Sequence, residues 1–456
     1  MKSYKISLIG AGSGCFSLGV IRDLCRSEIL CSCHVSLMDI NVERLDAIYD
    51  ICVRYNKEIG GKLTFDKTTD RVESLKGADF VISTALTAPH SRLKEGFKIA
   101  KKWGFKFGGS YHVMYDEAFW INFYQLRFME ELTQDILEYC PEAWHLMVEN
   151  PMVAGVTLLQ RKYPEAKTIG LCHGFADAYD MVEAMGYKKE DITFQMPGVN
   201  HFVWLNEARI KGEPFFPVLD KWIEEHGEEY WKTCDISSVL SKKRLDFYKK
   251  HGVIGIGDTL SWTGASWPWW YHTSDELEKE YTEYHPENGW NWYFDLVEKT
   301  ANDFTALSKD PDAKVTDFLS NVGEDVLIIP LVESIAGNIP RVHIINTINK
   351  GQLVPGIPED FEVEVPALCS ADGIHPITTK PLPKHIIAHI LRDRVAPVEM
   401  ELAAYESGDL YLLKELVLMD KWAQSMEQVE GFINEIMDLP YHAEMKEHYK
   451  IKNPGL

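Results

Sequence analysis

With 69 acidic against 47 basic side chains in 456 residues, a formal charge of −22, the chain's balance argues against a nucleic-acid partner, whose phosphate backbone needs a basic surface, and against an anionic membrane. Its 45% apolar and 25% charged composition is that of an ordinary soluble globular protein, long enough for two or three domains. Nine dilute cysteines, an odd number, make no disulfide framework; with no leader-like n-region and no bilayer-length apolar run, a cytoplasmic, reduced protein is expected.

Taken in order, residues 5–9 read as a short apolar strand running into a glycine turn formed by Gly10, Gly12, Ser13 and Gly14, with a helix over 20–25. Such glycines let the backbone approach a diphosphate, and the helix start supplies N–H groups and a positive dipole end. The spacing departs from G-x-G-x-x-G, since Cys15 stands where the third glycine belongs. The next strand, 34–40, carries Asp39 at the distance suited to a ribose diol of NAD. A 2′-phosphate there would be repelled. A doubly wound sheet with a chance aspartate is the competing reading.

A helix over 42–55 follows, then a strand over 78–85 ending in Ser83 and Thr84, on the side where such sheets face a cofactor. Helices are expected at 93–103, 118–139 and 152–163, a glycine-rich loop over the site at 104–112, and strands at 143–149 and 168–172. The first of these strands stops at Asn150, before Pro151, and the second ends in Cys172 and His173. Asn200 and His201 occupy a later polar break. A thiolate and an imidazole from two such breaks suit a soft-to-borderline divalent metal, with the rest of its shell open to substrate or water. Packed core residues are the alternative.

From 191 onward the pattern shifts to strands at 194–205, 207–212, 341–351 and 361–366, with helices at 216–228, 241–251, 281–307, 383–407 and 410–437. Residues 325–336 read as helix or strand. The tryptophan-rich stretch 255–272 is either a core corner or a sugar-stacking wall.

Gly10-Ala-Gly-Ser13, Asp39, Glu149-Asn-Pro-Met152, Cys172-His-Gly-Phe175, Gly198-Val-Asn-His-Phe-Val-Trp204, Asn346-Thr-Ile-Asn-Lys-Gly351 and Val363-Glu-Val-Pro366 keep one order along most of the chain. Together they resemble glycoside hydrolase family 4, the NAD- and metal-dependent glycosidases. The resemblance implies an α/β fold: a Rossmann-like, lactate-dehydrogenase-like NAD domain over 1–190 and a mixed α+β substrate and oligomerisation domain over 191–456, with the active site between them. It implies hydrolysis by oxidation at sugar C3, removal of the C2 proton, elimination of the C1 group, water addition and return of the hydride.

On this reading Gly10, Gly12, Ser13, Asp39 and Thr84 bind NAD, and Cys172 and His201 bind the metal (manganese first, with cobalt, iron and nickel open). Asn150, Asn200 and His173 meet the sugar, and Asp258 is the base. Some family members carry an acid in the loop matching 107–112, where this chain has Ser110; Tyr111, His112 or His173 could replace it. His173 after the cysteine resembles members acting on unphosphorylated α-glycosides, and Cys172-His-Gly-Phe175 the α-glucuronidase type. An α-galacturonidase, α-glucosidase or α-galactosidase is the runner-up. A substrate carboxylate would call for Arg92, Lys94, Lys106 or Arg341. The family tends to homodimers or homotetramers. A 2-hydroxyacid dehydrogenase shares the fold, yet is normally shorter and has no need of the Cys172 and His201 pair.

Overall fold

The computed structural model describes residues 3–234, 238–261, 267–281, 286–319 and 327–450. Residues 262–266, 282–285, 325 and 326, which fall within stretches read above, lie outside the described residues.

Six parallel strands organise the first half: β1 (Lys5–Ile9), β2 (His34–Met38), β3 (Thr64–Thr68), β4 (Phe80–Ser83), β5 (Trp144–Met147) and β6 (Lys167–Gly170). They lie in the order β3-β2-β1-β4-β5-β6. Ile6, Leu8, Val35, Leu37, Phe80 and Ile82 are all buried, as strands covered by helices on both faces must be. The order reverses between β1 and β4, so a crevice opens at the strands' C-terminal ends. β3, which the sequence reading passed over, is an edge strand with largely exposed polar residues, so it carries no hydrophobic signature. The opening helix spans Cys15–Arg26, longer than expected.

The second half adds β7 (Ile192–Gln195), β8 (Gly198–Val199), β9 (Phe202–Leu205), β10 (Glu207–Ile210), β11 (Glu213–Pro214), β12 (Ile254–Ile256), β13 (Arg341–Ile348), β14 (Glu362–Ser370) and β15 (Gly373–Pro376). The single strand expected over 194–205 is three strands. Pro197 interrupts the run, and the chain turns at His201, whose φ is 55°.

β13 runs antiparallel to β6 through Asn346 and Gly170, and β14, β8, β9 and β12 continue outward into a twelve-stranded sheet. Gly170 permits the join: a Cβ there would stand 2.1 Å from the Met152 sulfur and 2.9 Å from the Asn346 Cβ. The sheet therefore passes across the division expected at 190/191. β7, β10 and β11 form a separate three-stranded sheet.

The largest core among the described residues ties the C-terminal helices to those that follow β4. Phe97, Trp120 and Leu126 pack with Phe432, Ile433 and Ile436, from the helix Met426–Met437. Among the described residues no helix is long and apolar enough to cross a membrane.

Candidate active site

One cavity of about 2270 Å³ follows the C-terminal ends of the parallel strands. Gly10, Gly12, Ser13, Asp39 and Thr84 line one end; Asn150, Cys172, His173, His201 and Asp258 line the other, and Tyr115 and Asp116 are also on the wall.

At the glycine end the backbone leaves no room for side chains. A Cβ on Gly10, where φ is +87°, would stand 2.6 Å from the Ala85 Cα; one on Gly12 would stand 2.8 Å from the Asp39 carboxyl carbon. The Gly12 N–H donates to Asp39 Oδ2 at 2.8 Å, and the Asn41 N–H donates to Asp39 Oδ1 at 2.8 Å. Thr84 Oγ1 donates to the carbonyls of Ile9 and Gly10, both at 3.3 Å. Exposed Ile40 and Leu86 line the same end and offer an apolar surface for a flat ring.

At the other end, His201 sits on the turn between β8 and β9. Its Nδ1 lies 2.7 Å from the Tyr115 hydroxyl, which donates to Asp258 Oδ2 at 2.9 Å. The same Nδ1 is 3.4 Å from Asp258 Oδ2 and 3.7 Å from Glu117 Oε1. Asp116, Glu117 and His201 each offer a ligand atom within 4.8 Å of one another. Cys172 is outside that group but shares the cavity wall with His201.

Burial and the neighbouring Asp258 push the Asp116 carboxyl up to about 7, against the pull of the Asn150 side chain, whose Nδ2 donates to Asp116 Oδ2 at 3.1 Å. Burial lifts Glu149 to about 7 as well. Burial, with Glu364's charge, holds the Cys172 thiol far above its usual range. Burial lowers His201.

Several expected residues lie elsewhere. Ser110 is buried, its N–H bonded to Asp420 Oδ2 at 2.5 Å and its Oγ accepting the His112 N–H at 3.0 Å. Tyr111 is also behind the wall: it donates to Glu117 Oε1 at 2.5 Å and stacks on Tyr115 with centroids 4.8 Å apart. Asn200 is fully buried. It donates its side-chain N–H to Glu364 Oε2 at 2.9 Å. The loop over 104–112 thus lies behind the wall, and lining the cavity together with Asp258 is Asp116, which the sequence reading missed. Its signal was an Asp-Glu pair after aromatic Tyr115, with no periodicity to mark it.

Of the four candidate cations only Lys94 lines the cavity. Arg92 lies 4.6 Å over the Tyr441 ring, Lys106 5.0 Å over Trp422, and Arg341 pairs with Glu333 at 2.7 Å. Arg244, also missed, lines the cavity and pairs with Asp177 at 2.8 Å. The aromatic stretch is core where Trp267 meets Phe202 at 4.6 Å, whereas Trp290 and Tyr293 supply the aromatic wall.

Titration of the interior has a definite sign. Burial raises Glu364 to about 7, Asp420 to about 6 and Glu362 well above its usual value, alongside Glu149. Such groups add stability that is full below the unfolded carboxylate range and is lost as pH rises through their folded values. Buried His145, His343 and His442, lowered to about 4, act oppositely, costing stability only as pH falls below about 6.5. From pH 6.5 to 7.5 the carboxylates dominate, and stability falls. Each full proton of difference is worth about 1.4 kcal/mol per pH unit. Thermal unfolding without divalent ions checks this; a higher midpoint at pH 7.5 would contradict it.

Sheet order and cleft define an α/β chain of dinucleotide-binding architecture whose crevice holds acid, thiol and imidazole groups. The Family 4 glycosyl hydrolase profile matches residues 5–187, and that of the Family 4 glycosyl hydrolase C-terminal domain matches residues 196–423. The chain belongs to glycosyl hydrolase family 4 and is, by family, a glycosidase.

It is 25% identical over 472 residues to the alpha-galacturonidase of Thermoanaerobacter italicus, covering 96% of each chain. It is 25% identical over 451 residues to the alpha-glucosidase of Erwinia rhapontici, covering 91% of this chain and 93% of that one. In structure it resembles a 6-phospho-alpha-glucosidase from gut microorganisms, solved in complex with NAD and Mn2+. The TM-score is 0.76 at 16% identity, over 99% of this chain and 100% of that one.

Proposed function

We propose that the chain is an NAD- and divalent-metal-dependent α-glycosidase that releases terminal α-linked hexuronic acids, α-glucuronides first. The observation that carries this is a single cavity joining a glycine cradle and Asp39 to Asp116, Asp258, Cys172 and His201. The residues present fit both groups. The Gly12 N–H and Asp39 close a cradle that a Cβ would fill. A thiol and an imidazole are ligands for a borderline cation, and a cation would hold the Cys172 sulfur as thiolate.

Gly12, Asp39 and Thr84 would hold NAD, which would supply hydride exchange at C3, and Cys172 and His201 would hold the metal, which would supply Lewis-acid polarisation of the neighbouring oxygens. The remaining work falls to side chains. Asp258 removes the C2 proton. Asp116, kept protonated by burial, gives its proton to the departing C1 oxygen, with Asn150 fixing its orientation. His173, which lines the cavity next to Cys172, selects the sugar.

Gly12→Ala places a methyl against Asp39 and should weaken NAD⁺ binding by about tenfold or more, or about 1.4 kcal/mol, as measured by calorimetry. Wild-type affinity would remove the diphosphate turn from the reading. The function itself is tested with nitrophenyl α- and β-glycosides, uronides included, in NAD⁺, Mn²⁺ and thiol reductant. Sugar release with no net NADH is expected, and stoichiometric consumption of NAD⁺ would indicate a dehydrogenase instead. The active substrate is then run in D₂O, where a product without deuterium at C2 would sink the elimination route. An α-galacturonidase is the second reading, favoured by the name of the Thermoanaerobacter relative, and the same panel separates the two C4 epimers.

A further inference from the structure

The hydroxyl of Tyr115 is bonded both to a proposed metal ligand and to the proposed base. Tyr115 is 1% exposed. Its ring is wedged between Tyr111, stacked at 4.8 Å, and Trp290, edge-on at 6.0 Å. Its oxygen reaches Asp258 Oδ2 at 2.9 Å and His201 Nδ1 at 2.7 Å. A phenol has one proton to give, and a carboxylate can only accept. With that proton on Asp258, the phenol's lone pair is left facing Nδ1, so Nδ1 must carry the imidazole hydrogen. The other neighbours of Nδ1 agree, since the Asp258 and Glu117 oxygens, 3.4 and 3.7 Å away, are both acceptors. A neutral imidazole protonated on Nδ1 has its lone pair on Nε2.

We propose that Tyr115 is a positioning residue that locks His201 in the Nδ1–H tautomer, directs Nε2 to the cation and couples that ligand to the base Asp258. This rests on the metal-dependent reading above and assigns it one further side chain. It is the outer-shell device by which metal-bound histidines are oriented, built here from a tyrosine bridged to a carboxylate. The opposite arrangement puts the cation on Nδ1 with Asp116 and Glu117, whose ligand atoms gather within 4.8 Å of it. In that case the Tyr115 hydroxyl would compete with the ion. The two arrangements therefore predict opposite effects of removing one oxygen.

Tyr115→Phe keeps both ring contacts and deletes only the hydroxyl. Mn²⁺ affinity is measured on the full chain from the electron paramagnetic resonance of free Mn²⁺, beside Cys172→Ser, with thermal unfolding as the check on folding. The expected result is about 10- to 100-fold weaker Mn²⁺ binding in Tyr115→Phe. Wild-type or tighter binding overturns the proposal, and the ligand reading survives if Cys172→Ser still loses the ion. Wild-type affinity in Cys172→Ser overturns the ligand reading and the proposal with it. A double-mutant cycle supplies a readout that a structural role would not move: the loss of affinity caused by Asp258→Asn shrinks when residue 115 is already Phe. Additive losses overturn the coupling.

Discussion

Asp258→Asn lowers kcat by about 100- to 10,000-fold while NAD⁺ binding persists, and deuterium incorporation at C2 is lost with the activity. The argument is one of contrasting environments. The Asp258 side chain is 29% exposed and accepts the Tyr115 hydroxyl, so it meets donors and water, as a proton acceptor should. Asp116 is half-buried on the same wall, bonded through one oxygen to Asn150 and raised to about 7 by desolvation and by the charge of Asp258, so near neutrality it still carries a proton to give. Two carboxylates whose surroundings differ in this way divide into base and acid. Asp116→Asn should therefore depend on the leaving group. A nitrophenol departs with little help, whereas an alkyl or sugar alcohol needs the proton, so the defect should be larger for the second kind. Equal loss on both would remove Asp116 from the acid role and leave Asp258 untouched.

The sheet and one end of the site were legible because both rest on strand endings. Asp39 and Cys172 follow buried apolar runs, and such runs announce where a strand stops and therefore where a crevice lies. Asp258 and Thr84 were reachable by the same reasoning. What escaped lies on segments without a period. Asp116 and Tyr115 sit in an irregular connection ahead of the helix Phe119–Tyr139, placed by long-range packing that no local pattern encodes. Asn200 reads as a polar break, yet its side chain turns inward to Glu364 because the β8–β9 turn points His201, not Asn200, into the cavity. The edge strand β3 was missed for a different reason: of its five residues only Phe65 is apolar and packs on the core, so there is no apolar alternation to detect.

Arg394→Leu is expected to cost about 1–3 kcal/mol of stability, the range for leaving a buried carbonyl without its donor, with the loss of two cation–ring contacts beside it. The expected continuous helix over 383–407 is broken by a π-turn at Leu391–Val395, and its cause is in the sequence. Pro397 has no N–H for the Asp393 carbonyl four residues back, and Arg394 Nη1 donates to that carbonyl instead, at 2.8 Å. The turn swings a 2% exposed guanidinium between the Tyr111 ring at 4.2 Å and the Phe202 ring at 4.3 Å. Its charge draws the Glu117 carboxyl down against the burial that raises it. Both rings adjoin the site: Tyr111 stacks on Tyr115, and Phe202 follows His201 in the chain. Arg394→Lys should recover little, because an ammonium cannot lie flat between two rings. Denaturant unfolding measures both variants. Wild-type stability in Arg394→Lys would mean that charge alone suffices; loss in both assigns the role to the planar cation, and through the Tyr111–Tyr115 stack it would lower kcat as well.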